Sequence, residues 1–226
     1  MSCKPLKASE QKKSQDKINA KMQKRKKPLL DDVPPYMFII SEGTKTEPNY
    51  INGFANAINA KYREYSNSTG ERILVEGTGR NTKDLLKYAR KRVENKFPQA
   101  KIVWLLYDKD DFPLDNFDNT QYSAEKKKES RQYRVAWSNE CIELWFVLHF
   151  QELTVNNGRE QYQEILRKKC GYEKNAENLY DMFRDKTDIA IQRARRQYES
   201  YHDEAPSKRC PATRVYELVE ELQRYL

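Results

Sequence analysis

The sequence predicts an α/β protein: a parallel sheet of about four strands flanked by helices, with a helical C-terminal region. Three observations predict it. Ile102-Val-Trp-Leu-Leu-Tyr107 is an unbroken apolar run that ends in Asp108, Asp110 and Asp111. Apolar runs without alternation are strands buried on both faces, as in parallel sheets. Short apolar runs also alternate along the chain with segments of helical period, the order that builds strand–helix–strand units. Finally, acids and glycines stand where the runs end, and parallel strands present those ends along one edge, where open α/β sheets bind ligands.

Taken in order, Tyr36–Ser41 is the first strand. Glu42–Glu47 is a loop, and Pro48 suits a first helical position. The helix runs to about Glu64, with Tyr50, Ile51, Phe54, Ile58 and Tyr62 on one stripe. Asn67–Gly70 is a turn and Arg72–Glu76 the second strand, emptying into Gly77-Thr-Gly79. Thr82 is the expected N-cap of a helix through about Lys96, with Leu85, Leu86, Ala89 and Val93 inward. Ile102–Tyr107 is the third strand, 108–120 an acidic and aromatic loop, and Tyr122–Arg131 a helix. Tyr133–Trp137 is the fourth strand, and Cys141–Phe150 is the most apolar helix. Helical pattern then covers roughly 159–169, 177–184, 187–202 and 212–225.

The net charge of +8 is not spread over the chain. Residues 1–27 hold ten Lys or Arg and two acids, whereas the rest holds 32 basic and 32 acidic residues. Three regions follow: a basic arm at 1–33, expected to be disordered, an α/β core at 34–150, and a helical region at 151–226 packed on it. Basic arms of this kind contact nucleic acid through phosphates, or only solubilise. No run nears the ~18 apolar residues of a membrane span, and none follows the N-terminal lysines as a signal peptide requires. The four cysteines (Cys3, Cys141, Cys170, Cys210) form no C-x-x-C and, with His149 and His202, no zinc spacing. A cytoplasmic protein with reduced thiols is expected.

Glu42 follows the first strand, Asp108 and Asp110 the third, and Glu143 the fourth, so the fold would deliver all four to one crevice. Crowded carboxylates raise one another's pKa unless a cation is present. Mg²⁺ (or Mn²⁺) takes hard oxygen ligands, and paired ions of this kind cleave phosphodiesters. Glu143 stands out because nearly every other residue of Cys141–Phe150 is apolar; capping the helix is its plainer role. His149 reads as a core histidine, and Gly77-x-Gly79 as a tight turn before it reads as a phosphate cradle.

The strand ends Glu42-Gly43 and Asp108-x-Asp110 resemble the Toprim domain, a Rossmann-like fold shared by topoisomerases, primases and OLD-type nucleases. A longer set occurs in order: Ser41-Glu-Gly-x-x-Thr-Glu-Pro-Asn-Tyr50, Gly77-x-Gly-x-Asn81, Tyr107-Asp-x-Asp-Asp-Phe112, Ser138-Asn-x-x-x-Glu-x-Trp-x-x-x-His-Phe150, Tyr172-x-Lys174 and Pro211-x-Thr-x-Val-x-x-Leu-Val219. This set resembles the RloB-like family of bacterial defence proteins. The resemblance implies a Toprim-like core and Mg²⁺-dependent nuclease activity on DNA or RNA. It also implies a role in antiviral (phage) defence beside an SMC/ABC-type ATPase. Carried onto this chain, it implies Glu42 as the first acid, Asp108 and Asp110 as paired metal ligands, Glu143 as a further acid, and Lys174 as the cation for the scissile phosphate. Toprim patterns often carry a glycine after the paired aspartates, where this chain has Asp111-Phe112-Pro113. Two other functions compete. A haloacid-dehalogenase-type hydrolase also opens with Asp-x-Asp, but Phe112 stands where that motif has Thr or Val. A degenerate Toprim-like module would bind nucleic acid or tether an ATPase without catalysis.

Overall fold

The structure is a computed structural model, and it describes residues 33–66, 70–110, 114–126 and 130–226. The expected basic arm therefore lies outside the described residues, apart from its last position. From Pro34 to Leu226 the chain forms one contact unit.

The sheet has five strands in the order β2-β1-β3-β4-β5. They are β1 (Met37–Ser41), β2 (Ile73–Gly77), β3 (Ile102–Asp108), β4 (Gln132–Asn139) and β5 (Ala212–Thr213). The first four are parallel, with Ser41 opposite Gly77 on one side and Leu106 on the other. β5 was not expected: two residues of the predicted last helix pair antiparallel with Ser138 and Asn139. A two-residue strand has no periodicity, so only tertiary pairing defines it.

The helices are α1 (Thr46–Lys61), α2 (Thr82–Lys96), α3 (Leu114–Glu125), α4 (Glu143–Leu148), α5 (Arg159–Cys170), α6 (Leu179–Phe183), α7 (Thr187–Glu199) and α8 (Val215–Gln223). Three expectations shift. Pro48 is the third residue of α1, not the first. α2 is capped by Asn81, whose side chain accepts from the Asp84 amide, which frees the Thr82 hydroxyl for another bond. The expected loop at 108–120 and helix at 122–131 are replaced by α3, which begins eight residues earlier because Phe117 and Ala124 bury against the sheet.

β1 and β3 are buried along their whole lengths, as unbroken apolar runs require. On one face, Leu85, Ala89 and Val93 of α2 and Phe117 of α3 pack on Phe38, Val103, Leu105 and Trp137. On the other, α8 reaches the sheet through Glu221, which accepts from Trp104 Nε1 at 2.8 Å and from Arg134 at 2.8 Å. An aromatic stack joins α1, α4 and α6: Tyr50 against Phe146 at 5.1 Å, and Phe146 on Phe183 at 4.6 Å. Among the described residues, no helix is long and apolar enough to cross a membrane.

Candidate metal centre

The carboxyl edge of the sheet opens into a cleft of about 440 Å³. Glu42, Asp108, Asp110, Glu143 and Lys174 all line it, together with Glu47 and Arg159. The sheet register explains the first pairing. The Glu42 amide donates to Leu106 O at 2.8 Å, so Glu42 stands beside the strand that ends in Asp108. With strands ~4.8 Å apart and ~3.3 Å per residue, their Cα atoms are about 6 Å apart.

Asp108 is the best-buried acid of the five predicted residues apart from Glu143. Its Oδ2 accepts from the Ile142 amide at 3.1 Å. Its Oδ1 is buried without a hydrogen-bond partner among the described residues. Burial, and then the charges of Glu47 and Glu143, push its pKa well above the usual carboxylate range. Glu143 opens α4 and is buried, so it faces neither water nor a cap. Its Oε1 accepts from Gln163 Nε2 at 2.8 Å and Tyr172 OH at 3.2 Å. Glu42 is half-buried and accepts from the Thr82 hydroxyl at 2.9 Å. Burial holds its pKa up at about 7.

Glu47, expected in the loop after the first strand, is a further acid of the cleft. It sits in the first turn of α1 and is 7% exposed. Burial and the charge of Glu143 raise its pKa, against the pull of Lys174 and Arg159. Gly43 makes room for it: a Cβ there would lie 2.1 Å from Glu47 Oε2. Gly77 has a similar task, since a Cβ would lie 2.6 Å from Gly43 O and 2.8 Å from Thr44 Cα. The Gly77-Thr-Gly79 turn is no phosphate cradle. Its amides are spent on Ser41 O (from Thr78, 3.0 Å) and Glu42 O (from Gly79, 2.8 Å), so it buttresses the acidic loop.

Asp110 lines the same cleft, with its carboxylate engaged by a cation. It has a positive φ of 39° and is ion-paired to Arg159, which opens α5. Lys174 and Lys45 are exposed on the rim. Asn175 anchors the Lys174 loop by accepting from the Thr46 hydroxyl at 2.9 Å. His149 lies away from the cleft, as a core histidine should. Its Nδ1–H donates to Trp145 O at 3.0 Å, and burial pushes its pKa down to about 3.

The donors fit a hard divalent cation: all are oxygen, and one buried carboxylate oxygen has no other partner. Among the described residues, no three His, Cys, Asp or Glu side chains are already arranged as a ligand set. The hydrogen bonds say why. Thr82 draws Glu42 aside, Gln163 and Tyr172 draw Glu143, and Arg159 draws Asp110.

Fold and cleft together define a class: an α/β protein with a carboxylate cluster at the carboxyl edge of a parallel sheet, rimmed by cations. The family model described as RloB-like protein matches residues 37–222. The chain belongs to that family. No curated protein and no solved structure matches it significantly.

Proposed function

We propose that the protein is a Mg²⁺- or Mn²⁺-dependent nuclease that hydrolyses phosphodiester bonds of DNA or RNA in antiviral (phage) defence, beside an SMC/ABC-type ATPase. One observation carries the reading: Glu42, Glu47, Asp108 and Glu143 line one cleft, and the Asp108 oxygen in it is buried and unpartnered. Glu42 and Asp108 leave neighbouring parallel strands, which supports the Toprim likeness. The family resemblance supports the defence role and the ATPase partner.

Asp108, Glu42, Glu47 and Glu143 would hold the ion. A divalent cation there supplies Lewis acidity and a bound water of lowered pKa. The second layer of residues fixes the donors: the Ile142 amide orients Asp108, Thr82 orients Glu42, and Gln163 with Tyr172 orients Glu143. Lys174, Lys45 and Arg159 at the rim would bind the phosphate and balance the charge that develops on it. In the free protein Arg159 holds Asp110, and an incoming phosphate competes for the same guanidinium.

The test is cleavage of plasmid, single-stranded DNA and tRNA by the full chain in Mg²⁺, Mn²⁺ or chelator, with and without the ATPase. Asp108→Asn is the control. The expected result is metal-dependent cleavage that Asp108→Asn abolishes. Silence in every arm overturns catalysis and leaves a nucleic-acid-binding or ATPase-tethering module.

A further inference from the structure

We infer that the exposed face of α2 is a docking track that binds the sugar–phosphate backbone of a nucleic-acid strand and leads it to the acidic cleft. The choice of occupant rests on the nuclease reading; the track itself rests on its own geometry.

Lys87 and Lys91 are exposed one turn apart on α2, about 6 Å along its axis, and make no ion pair among the described residues. With Arg80 and Arg92 they line a groove of about 460 Å³, where Asp84 is the one acid among the described residues. Arg92 and Lys96 share a single carboxylate, Glu76, each at 2.8 Å, so this pairing leaves one positive charge over. The track ends at the cleft. Thr82, the first residue of α2, donates to Glu42, and Gly79, beside Arg80, donates its amide to Glu42 O. The 15 residues of α2 span ~22 Å, long enough to lie along several successive phosphates.

The chemistry of the groove selects the occupant. A protein partner needs apolar or aromatic anchors in pockets. The aromatic side chain here is Tyr88, whose hydroxyl donates to Glu76 at 2.9 Å and whose ring is covered by Arg80 at 4.2 Å. A membrane surface needs a free apolar helix face. On α2, Leu85, Leu86, Ala89 and Val93 are all buried in the core. Cations at helical spacing, with no anchor between them, match a phosphate backbone read without regard to sequence.

The test compares the full wild-type chain with Lys87→Gln/Lys91→Gln, and with Lys168→Gln/Lys169→Gln on the last turn of α5 as a charge-matched control. Binding of labelled single-stranded DNA, duplex DNA and RNA is measured by anisotropy in chelator across a salt series. Losing two phosphate contacts should lower the slope of log K against log salt by about 1.4–1.8 and weaken binding about tenfold or more at low salt. The control should keep the wild-type slope. The inference is overturned if the wild type binds no nucleic acid, if the α2 variant keeps the wild-type slope and affinity, or if the control loses as much. Cleavage assayed separately tells the two readings apart. An altered slope without cleavage retires the nuclease and keeps the track; cleavage with an unaltered slope does the reverse.

Discussion

Replacing Glu42 with glutamine removes one charge from the cleft and leaves its shape unchanged. The amide oxygen still accepts from Thr82, as the carboxylate does. Burial, opposed by the Thr82 bond and assisted by the charge of Glu47, raises the Glu42 pKa from 4.5 to about 7. A carboxyl that holds its proton more tightly in the folded chain stabilises the fold while protonated. That contribution is fully present below 4.5 and is lost as the pH rises through about 7. At ~1.4 kcal/mol per tenfold change in proton affinity, the shift is worth at most ~3.5 kcal/mol. Glu42 is partly exposed, and solvent screening reduces this to ~1–2 kcal/mol.

The difference between the two proteins isolates this effect, because His149 works in the opposite direction. Its pKa is depressed from 6.5 to about 3, so its contribution grows as the pH rises from about 3 and levels off above 6.5. Both proteins carry His149, and it cancels. Urea unfolding in chelator should give equal stabilities below pH 4.5 and a more stable Glu42→Gln, by ~1–2 kcal/mol, above pH 7. Excess Mg²⁺ should reverse that order, since the wild type gains stability from binding and the variant gains less. A Glu42→Gln protein no more stable than wild type above pH 7 in chelator would refute the picture of a strained carboxylate cluster.

Three further perturbations separate roles within the cleft. Gly43→Ala places a methyl 2.1 Å from Glu47 Oε2 and must displace that carboxylate, so calorimetry should show weakened Mg²⁺ binding in a protein that still folds; wild-type affinity would remove Glu47 from the ligand set. Glu143→Gln keeps an oxygen for Gln163 and Tyr172 and sheds a charge beside Asp108. Its unfolding free energy should stay within ~1 kcal/mol of wild type while cleavage disappears, and full specific activity would assign Glu143 to structure alone. Arg159→Gln breaks a partly exposed pair and should change stability by only ~0–1 kcal/mol. Its kcat/KM should fall on the order of 10²-fold if the guanidinium steadies the phosphate, and an unchanged value would confine Arg159 to holding Asp110.

The four parallel strands and the acids at their ends were legible because both are local signals. An unbroken apolar run marks β3, and the acid after it marks where the run stops. Glu47 was legible in principle. An acid in a first helical turn is usually read as answering the helix dipole. Yet carrying the stripe of Ile58, Phe54 and Ile51 back one more turn lands on Glu47, which is buried with them. A carboxylate on the apolar stripe of a helix is a stronger sign than one in a loop, and the same logic had singled out Glu143.

The partners of those acids were not legible. Thr82 meets Glu42 across 40 residues, Arg159 meets Asp110 across 49, and Gln163 meets Glu143 across 20. No periodicity encodes such meetings; they follow from where whole helices dock. Arg159, Gln163, Tyr172 and Lys174 all come from the helical C-terminal region, so the α/β core supplies the carboxylates while the C-terminal region supplies most of the groups that orient or balance them. A core cut after Phe150 would keep Glu42, Glu47, Asp108 and Glu143 but lose Gln163 and Tyr172 from Glu143 and Arg159 from Asp110. Burial that now raises the pKa values of Glu42, Glu47 and Asp108 would be relieved by water, and the cluster would lose the crowding that makes a divalent cation its natural partner.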